Sequence, residues 1–492
     1  MTELFNYSNH LGFSNPFYFQ KEGKTLSINR SFENIVETFE QPLTIDPLAI
    51  IEILNKNFML GDRTIFKQIR RTPWMAFPNA NFTGWNFHNI PTHRELQMDE
   101  IDIAARLFEL LCEEIKSFTE GKIHIGLLLS GGMDSRIVAG ILDFLIKKGI
   151  INVQSVTGYT WGNHCSRDVI YAKQIAKTLG WNWKHFLVTP NDMWNNLILA
   201  GHRGCEYSGI HLHAIPQIAE IASSEIDILL AGSYGDSVGR AEYSGRHMSR
   251  LLPLTNRIRN FGFLFNPQCF KAYKGLWQQD IHQYHRLFPR PSLQSQLELD
   301  YELHYMRRML NPCMELINEN TPVRQAFTSP KVFGFMWSLS PHLRNDNIYT
   351  HLLNHFATDL SEFNWARTGL PYGSEDGKPD QYTKNHHDYK TIIQKDLFPQ
   401  IVDRLKQLPE IGKDIFDEGA VRQLVSGIRR LPNQNNDYLE RLTWLVSFSF
   451  FSEKYMDLID TSTIASKQFS SSGIKTAIEY TLINLYRKLR LK

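Results

Sequence analysis

The stretch GLLLSGGMDSRIVAG, residues 126–140, constrains this chain of 492 residues more than any other. A leucine-rich run that stops at Ser-Gly-Gly and resumes as an apolar helix reads as a buried strand, a tight turn and a helix. The unit then repeats. Helix RIVAGILDFLIKKG leads to strand INVQSVTGYT, helix SRDVIYAKQIAKTLG and strand WKHFLVT. Strands alternating with helices at this spacing predict an α/β fold, a parallel sheet flanked by helices on both faces.

The turn itself predicts an anion site. Gly131 and Gly132 let the backbone reverse tightly and present bare N–H groups, and the following helix adds its positive dipole end. Phosphate is the expected ligand. No lysine follows the glycines, so this is not a GxxxxGK[ST] loop, and the spacing is not GxGxxG. Without a lysine, polyphosphate charge must be met by a metal. Asp134 is placed to hold Mg²⁺ against the phosphates, and Ser130 and Ser135 supply hydroxyls. The plainer reading makes Ser-Gly-Gly a simple turn capped by Asp134; all six residues SGGMDS between a strand and a helix favour the phosphate site.

Around this unit the texture changes. Residues 1–98 hold short alternating segments, FYFQ and KTLSINR, and one helix, DPLAIIEILNKNFML, with Asp46 as N-cap and Pro47 at its first position. This is small α+β material, closed by FPNANFTGWNFHNIPTHR. Residues 99–492 form the second expected unit, which turns mostly helical and aromatic from about 250. A net charge of +2 gives no broad basic field for nucleic acid. Cys112, Cys165, Cys205, Cys269 and Cys313 are odd in number and never in CxxC spacing, which argues against a disulfide framework or a structural zinc. No signal peptide and no transmembrane run of about 18 apolar residues is read, so a cytoplasmic location is expected. The basic amphipathic tail GIKTAIEYTLINLYRKLRLK reads as a solvated terminal helix in preference to a membrane contact.

SGGMDS resembles the PP-loop, SGGxDS, of ATP pyrophosphatases, and LLLSGGMDSRIVAG is most similar to the synthetase half of class B asparagine synthetases. Three further segments agree. SVTGYTWGNHCSRDVIYAKQIAKTLGWNWKHF resembles the second strand and helix, with Asp168 at the place of the family's acid and Ala172 and Ala176 following in its pattern. DILLAGSYGDSVGRAEYSG resembles the loop that holds Mg-pyrophosphate, with Gly232 and Ser233 leading to Asp236. TIDPLAIIEILNKNFMLGDRTIFKQIRRTPWM resembles the back half of the glutaminase domain. Two departures stand beside these. Class B enzymes place a nucleophilic cysteine directly after the initiator methionine, where this chain has Thr2, so residues 1–98 are expected to be a truncated glutaminase-like domain that does not hydrolyse glutamine. The acids three residues before Asp236 and one after it are replaced by Ser233 and Ser237.

The resemblance implies an ATP-dependent, AMP-forming ligase that activates a carboxylate as an acyl-adenylate for attack by ammonia or an amine, the nitrogen coming directly or from a separate amidotransferase. Asp134 and Asp236 would hold Mg²⁺, Ser130, Gly131, Gly132 and Ser135 would cradle pyrophosphate, and Val156, Thr157 and Gly158 would border the nucleoside. The family's lysine that meets charge on the intermediate has two candidate equivalents, Arg367 in FNWARTGLPYG and Lys384 in DQYTKNHHDYK; an exposed cation is the plainer reading of each. His202, Glu206 and His211 are expected towards the substrate pocket, and the pairs His211/His213 and His386/His387 lack the i, i+4 spacing of zinc ligands. The absent cysteine leaves two other readings open: closure of a peptide ring or amidation of a sugar acid on the same machinery. Loss of the acids at 233 and 237 leaves a third, a nucleotide-binding protein without turnover.

Overall fold

The structure is a computed structural model that describes residues 5, 7–20, 25–240, 253–254, 258–356, 358–374, 376–406, 409–427 and 436–460. Thr2, residues 241–245 of the second loop's segment and the basic tail lie outside the described residues.

Five parallel strands make the central sheet: β6 (His124–Leu128), β7 (Ser155–Trp161), β8 (Asn182–Phe186), β9 (Ile228–Ala231) and β10 (Val323–Gln325), in the order β10-β9-β6-β7-β8. Their residues are sorted by a period of two. Ile125, Leu127, Ile228 and Leu230 enter one buried cluster, whereas Leu128, Leu229 and Ala231 enter another on the opposite face. Gly126 allows this packing, because a Cβ there would stand 2.4 Å from the Ile226 Cδ1. Helices α3 (Glu100–Thr119), α4 (Met133–Lys147) and α5 (Arg167–Leu179) bury Leu107, Leu111, Ile137, Ile141, Ala172 and Ile175 in the first cluster. Helices α6 (Pro190–His202) and α7 (Ile215–Glu225), with Asn436–Tyr455, supply Met193, Leu197, Ile218, Leu442 and Phe448 to the second. This is the predicted α/β architecture. The strand β10 is an addition to the prediction; its sequence Val-Arg-Gln carries no apolar run to announce it.

The N-terminal part holds β1 (Phe17–Gln20), β2 (Leu26–Asn29), α1 (Phe32–Val36), α2 (Pro47–Lys56) and β3 (Arg70–Arg71), with an antiparallel sheet in the order β2-β1-β3. Asp46 caps α2, accepting from the Leu48 N–H at 3.1 Å, with Pro47 in the first turn. The Asn/Pro-rich closing stretch contains a short hairpin, β4 (Ala76–Pro78) paired with β5 (Trp85–Phe87). Among the described residues no helix is long and apolar enough to cross a membrane.

The chain passes from β6 to β7 and β8 on one side, then returns to β9 on the other side of β6. That reversal opens a crevice beyond the carboxyl ends of β6 and β9, where open α/β sheets bind ligands.

Candidate active site

A cleft of about 360 Å³ occupies that crevice. Two loops meet in it. Residues 129–132 follow β6 and end at Gly132, the N-cap of α4, so that Asp134 and Ser135 lie in the first helical turn. Residues 232–235 follow β9 and lead into a single wide turn, Gly235–Gly239, that carries Asp236. The second loop presses on the first: a Cβ on Gly232 would stand 2.6 Å from the Asp134 carbonyl carbon, and one on Gly235 would stand 2.6 Å from the Asp134 Cβ. Only glycine permits this approach, and it brings Asp134 and Asp236 to one cleft. Between them Tyr234 takes a left-handed φ of 71°, a local cost characteristic of functional loops.

The first loop is tied together by its serines. The Ser135 Oγ accepts from the Ser130 N–H at 3.1 Å, and the Ser130 Oγ accepts from the Gly132 N–H at 3.1 Å. Ser130, Gly132, Asp134, Ser135, Gly232, Ser233 and Asp236 all line the cleft. Gly131 does not: its N–H donates to the Asp168 carboxylate, and its α-carbon packs against α5 and Ala366, so a Cβ would be 2.9 Å from the Ala366 Cβ. Arg136, two residues beyond Asp134, is fully buried and was not singled out from the sequence. Its guanidinium donates to the carbonyls of Phe363 (2.7 Å) and Asn364 (2.8 Å), which fastens residues 360–366 over the loop. Burial lowers it to about 10. Arg240, also missed, pairs with Asp134 at 3.4 Å and Asp346 at 3.2 Å, while the Tyr349 hydroxyl donates to the Gly235 carbonyl at 2.9 Å. A buried arginine in a charged segment carries no sequence signal that separates it from a surface one.

Several expected residues sit elsewhere. Val156, Thr157 and Gly158 lie inside β7 and do not line the cleft; the strand runs on to Trp161, and Thr160 and Trp161 occupy the rim instead. The Thr160 hydroxyl donates to the Leu129 carbonyl at 2.7 Å and accepts from the Trp183 indole at 3.0 Å. Arg367 and Lys384 are exposed and outside the lining; the Arg367 guanidinium lies 4.8 Å from the Trp365 ring centroid. Their neighbours do reach the site, because Ala366 donates its N–H to the Gly131 carbonyl at 3.2 Å and His386 lines the cleft. Glu206 does not face the pocket but is buried between Arg71 and Arg308, His211 stands 3.9 Å from Glu440, and His202 receives the Tyr455 hydroxyl on its carbonyl.

The donor set suits a metal carried in with phosphate. Asp134 and Asp236 offer hard carboxylate oxygens, and no group of three metal-ligating side chains exists among the described residues. Mg²⁺ held by one or two carboxylates and completed by phosphate oxygens and water needs no larger set.

The asparagine synthase family matches residues 106–353, about half of the chain and the whole of this cleft up to its C-terminal segments. No curated protein matches. Among solved structures, NMN synthetase from Francisella tularensis is similar at 14% identity, with 45% of this chain and 93% of that chain covered and a TM-score of 0.20.

Proposed function

The chain belongs to the asparagine synthase family, and from that premise we propose that it is an AMP-forming amide ligase that uses ATP with Mg²⁺. A carboxylate would attack the α-phosphorus to form an acyl-adenylate as the bond to pyrophosphate breaks, and ammonia or an amine would then attack the acyl carbon and displace AMP. The observation that carries this reading is the contact of the two loops: glycines at 232 and 235 fit no side chain, and the approach they permit sets Asp134 and Asp236 on one cleft at the sheet's reversal point.

Each part of the chain has a task in this scheme. Asp134 and Asp236 hold Mg²⁺, which supplies neutralisation of the departing pyrophosphate. Ser130, Gly132 and Ser135 offer hydroxyl and N–H donors to phosphate oxygens, exchanging the hydrogen bonds they make among themselves. Arg240, buried beside Asp134, fixes that carboxylate's direction. Leu129, Thr160 and Trp161 border the nucleoside, in place of residues 156–158. Residues 1–98 serve as a glutaminase-like unit joined to the ligase part through the ion pairs of Arg71 with Glu206 and Glu315. Burial raises the Cys112 and Cys313 thiols to about 12 and Cys269 to about 11, and lifts Cys205 well up, so none of these four, all beyond residue 98, is a ready thiolate. Five unpaired cysteines are in keeping with work in the reducing cytoplasm.

The test is release of pyrophosphate from Mg-ATP across a panel of amino acids, short peptides and sugar acids. We expect one acid class to drive release and Asp134→Asn to slow it on the order of 100-fold. Silence across the panel, with nucleotide binding retained, would leave the non-catalytic reading standing.

A further inference from the structure

Resting on the ligase reading above, we propose that His386 is the catalytic base that takes the proton from the nitrogen nucleophile, with Asp168 as its positioning carboxylate. An amine or ammonium reaches a neutral solution mostly protonated, since α-amino groups titrate near 7.7–8.0 and lysine near 10.4. Its lone pair is unavailable until a proton leaves. Among the described residues the cleft lining holds the carboxylates Asp134, Asp168 and Asp236 and the imidazole of His386, and no lysine or arginine. Such a cleft attracts a cation. Asp134 and Asp236 face the pyrophosphate side, which leaves Asp168 and His386 for the nucleophile.

The pair is built into the site from three directions. The Gly131 N–H fixes the Asp168 carboxylate, and this acid and the His386 ring act on each other electrostatically. The strap that carries His386 is stitched to the start of α5: Thr383 donates its N–H to the Cys165 carbonyl at 3.1 Å, Arg167 donates to the Thr383 carbonyl at 2.9 Å, and Asn163 donates to the His386 carbonyl at 2.7 Å. Asp380 accepts from Arg167 at 3.1 Å and from the Tyr171 hydroxyl. Behind His386 stand the rings of His387 at 4.3 Å and His213 at 6.4 Å, and His213 is itself held by the Tyr389 hydroxyl at 2.8 Å. Burial lowers all three imidazoles, so His386 is a neutral acceptor at neutral pH.

The step balances without a further reagent. The bound ammonium gives one proton to His386, which releases it to solvent. The freed lone pair forms the C–N bond at the acyl carbon, and the C–O bond to the adenylate phosphate breaks, its electron pair leaving with AMP. The excess proton on the new amide nitrogen goes to the same imidazole.

The experiment compares two half-reactions in full-length wild type, His386→Gln, His386→Asn and Asp168→Asn, using the acid that drives pyrophosphate release. General-base loss predicts that amide formation with ammonium at neutral pH falls on the order of 100-fold or more beyond any fall in ATP–pyrophosphate exchange. Hydroxylamine, which is already unprotonated at neutral pH, should restore turnover in both His386 variants. Equal losses in the two half-reactions, amide formation at the wild-type rate, or failure of hydroxylamine to restore turnover would each overturn the base assignment. Absence of exchange in the wild type with every acid would instead overturn the ligase reading from which the assignment starts.

Discussion

Asp134 and Asp236 reach the same cleft from loops that follow different strands, and the closeness of those loops has an energetic consequence. Two carboxylates that share one Mg-pyrophosphate act as a unit. Asp134→Asn or Asp236→Asn should each cost about 3 kcal/mol of transition-state stabilisation, and the double variant little more. ATP–pyrophosphate exchange on the three variants measures this, and fully additive losses would show that the two acids serve separate sites. Gly235 gives a sharper probe of the same contact. Its Cβ in Gly235→Ala would stand 2.6 Å from the Asp134 Cβ and 2.7 Å from the Oδ1. We expect exchange to fall at least about tenfold, with the carboxylate displaced and the fold kept; an unchanged rate would mean that the two loops are not held together during catalysis. At this scale the sequence was readable where a residue type has one use. Ser-Gly-Gly followed by an acid at a strand-to-helix turn is such a case, and Asp134 and Ser135 stand where the pattern put them. Arg136 and Arg240 could not be read, because their function is to be buried against partners brought in by residues 346 and 363–364.

At the scale of elements, strand ends decided which residues reach the site. The β7 segment was legible, but its last residue was not, since SVTGYTW is uniformly compatible with a buried strand. Three more residues of strand carry the rim from Gly158 to Trp161. The strap around residues 380–388 carries no helical or strand period, and such segments lack the pattern that would reveal what they cover. Its seating depends on Gly162, which follows β7 with φ of 132° and whose missing Cβ leaves room for the His386 carbonyl, 2.6 Å from where that atom would be. Gly162→Ala therefore meets both a backbone penalty and a clash with main chain, which no rotamer change relieves. We expect a loss of about 1–3 kcal/mol in urea unfolding and faster proteolytic cleavage in the strap. A variant as stable as the wild type, with the strap equally protected, would show that the strap is not seated through this contact.

Over the whole molecule, buried charge joins the N-terminal part to the rest. Arg71 on β3 donates to Glu206, with its Nε 2.9 Å from Oε2, and to Glu315 at 2.8 Å, and Arg308 donates to the other Glu206 oxygen at 2.9 Å. Elsewhere Glu298 is gripped by Arg344 through both oxygens, at 2.5 and 2.8 Å, and by His93 at 3.1 Å. Hydrophobic patterning could predict the sheet but not these networks, because the partners lie more than a hundred residues apart for Arg71 and Glu206 and gain meaning only once folded. Their arginines hold both Glu206 and Glu298 below the usual carboxylate range, against the opposing effect of burial. The sign of the pH dependence follows. A carboxylate whose folded value is depressed stabilises the fold above its unfolded value, about 4.3, and that stabilisation is lost as pH falls through the folded value. Stability should thus decline below about pH 4.5 with a slope of roughly 1.4 kcal/mol per pH unit for each proton taken up on unfolding. Glu206→Gln separates this from general acid unfolding. It leaves Arg71 and Arg308 buried without their shared anion, so stability at pH 7 should drop by about 3–5 kcal/mol. It also removes one titrating carboxylate, so the decline on the acid side should become shallower by about one proton. Urea unfolding of both proteins from pH 3 to 7 measures the two effects together. A wild-type stability at pH 7, or an acid limb of unchanged slope, would show that Glu206 does not carry the charge that links β3 to the helical part.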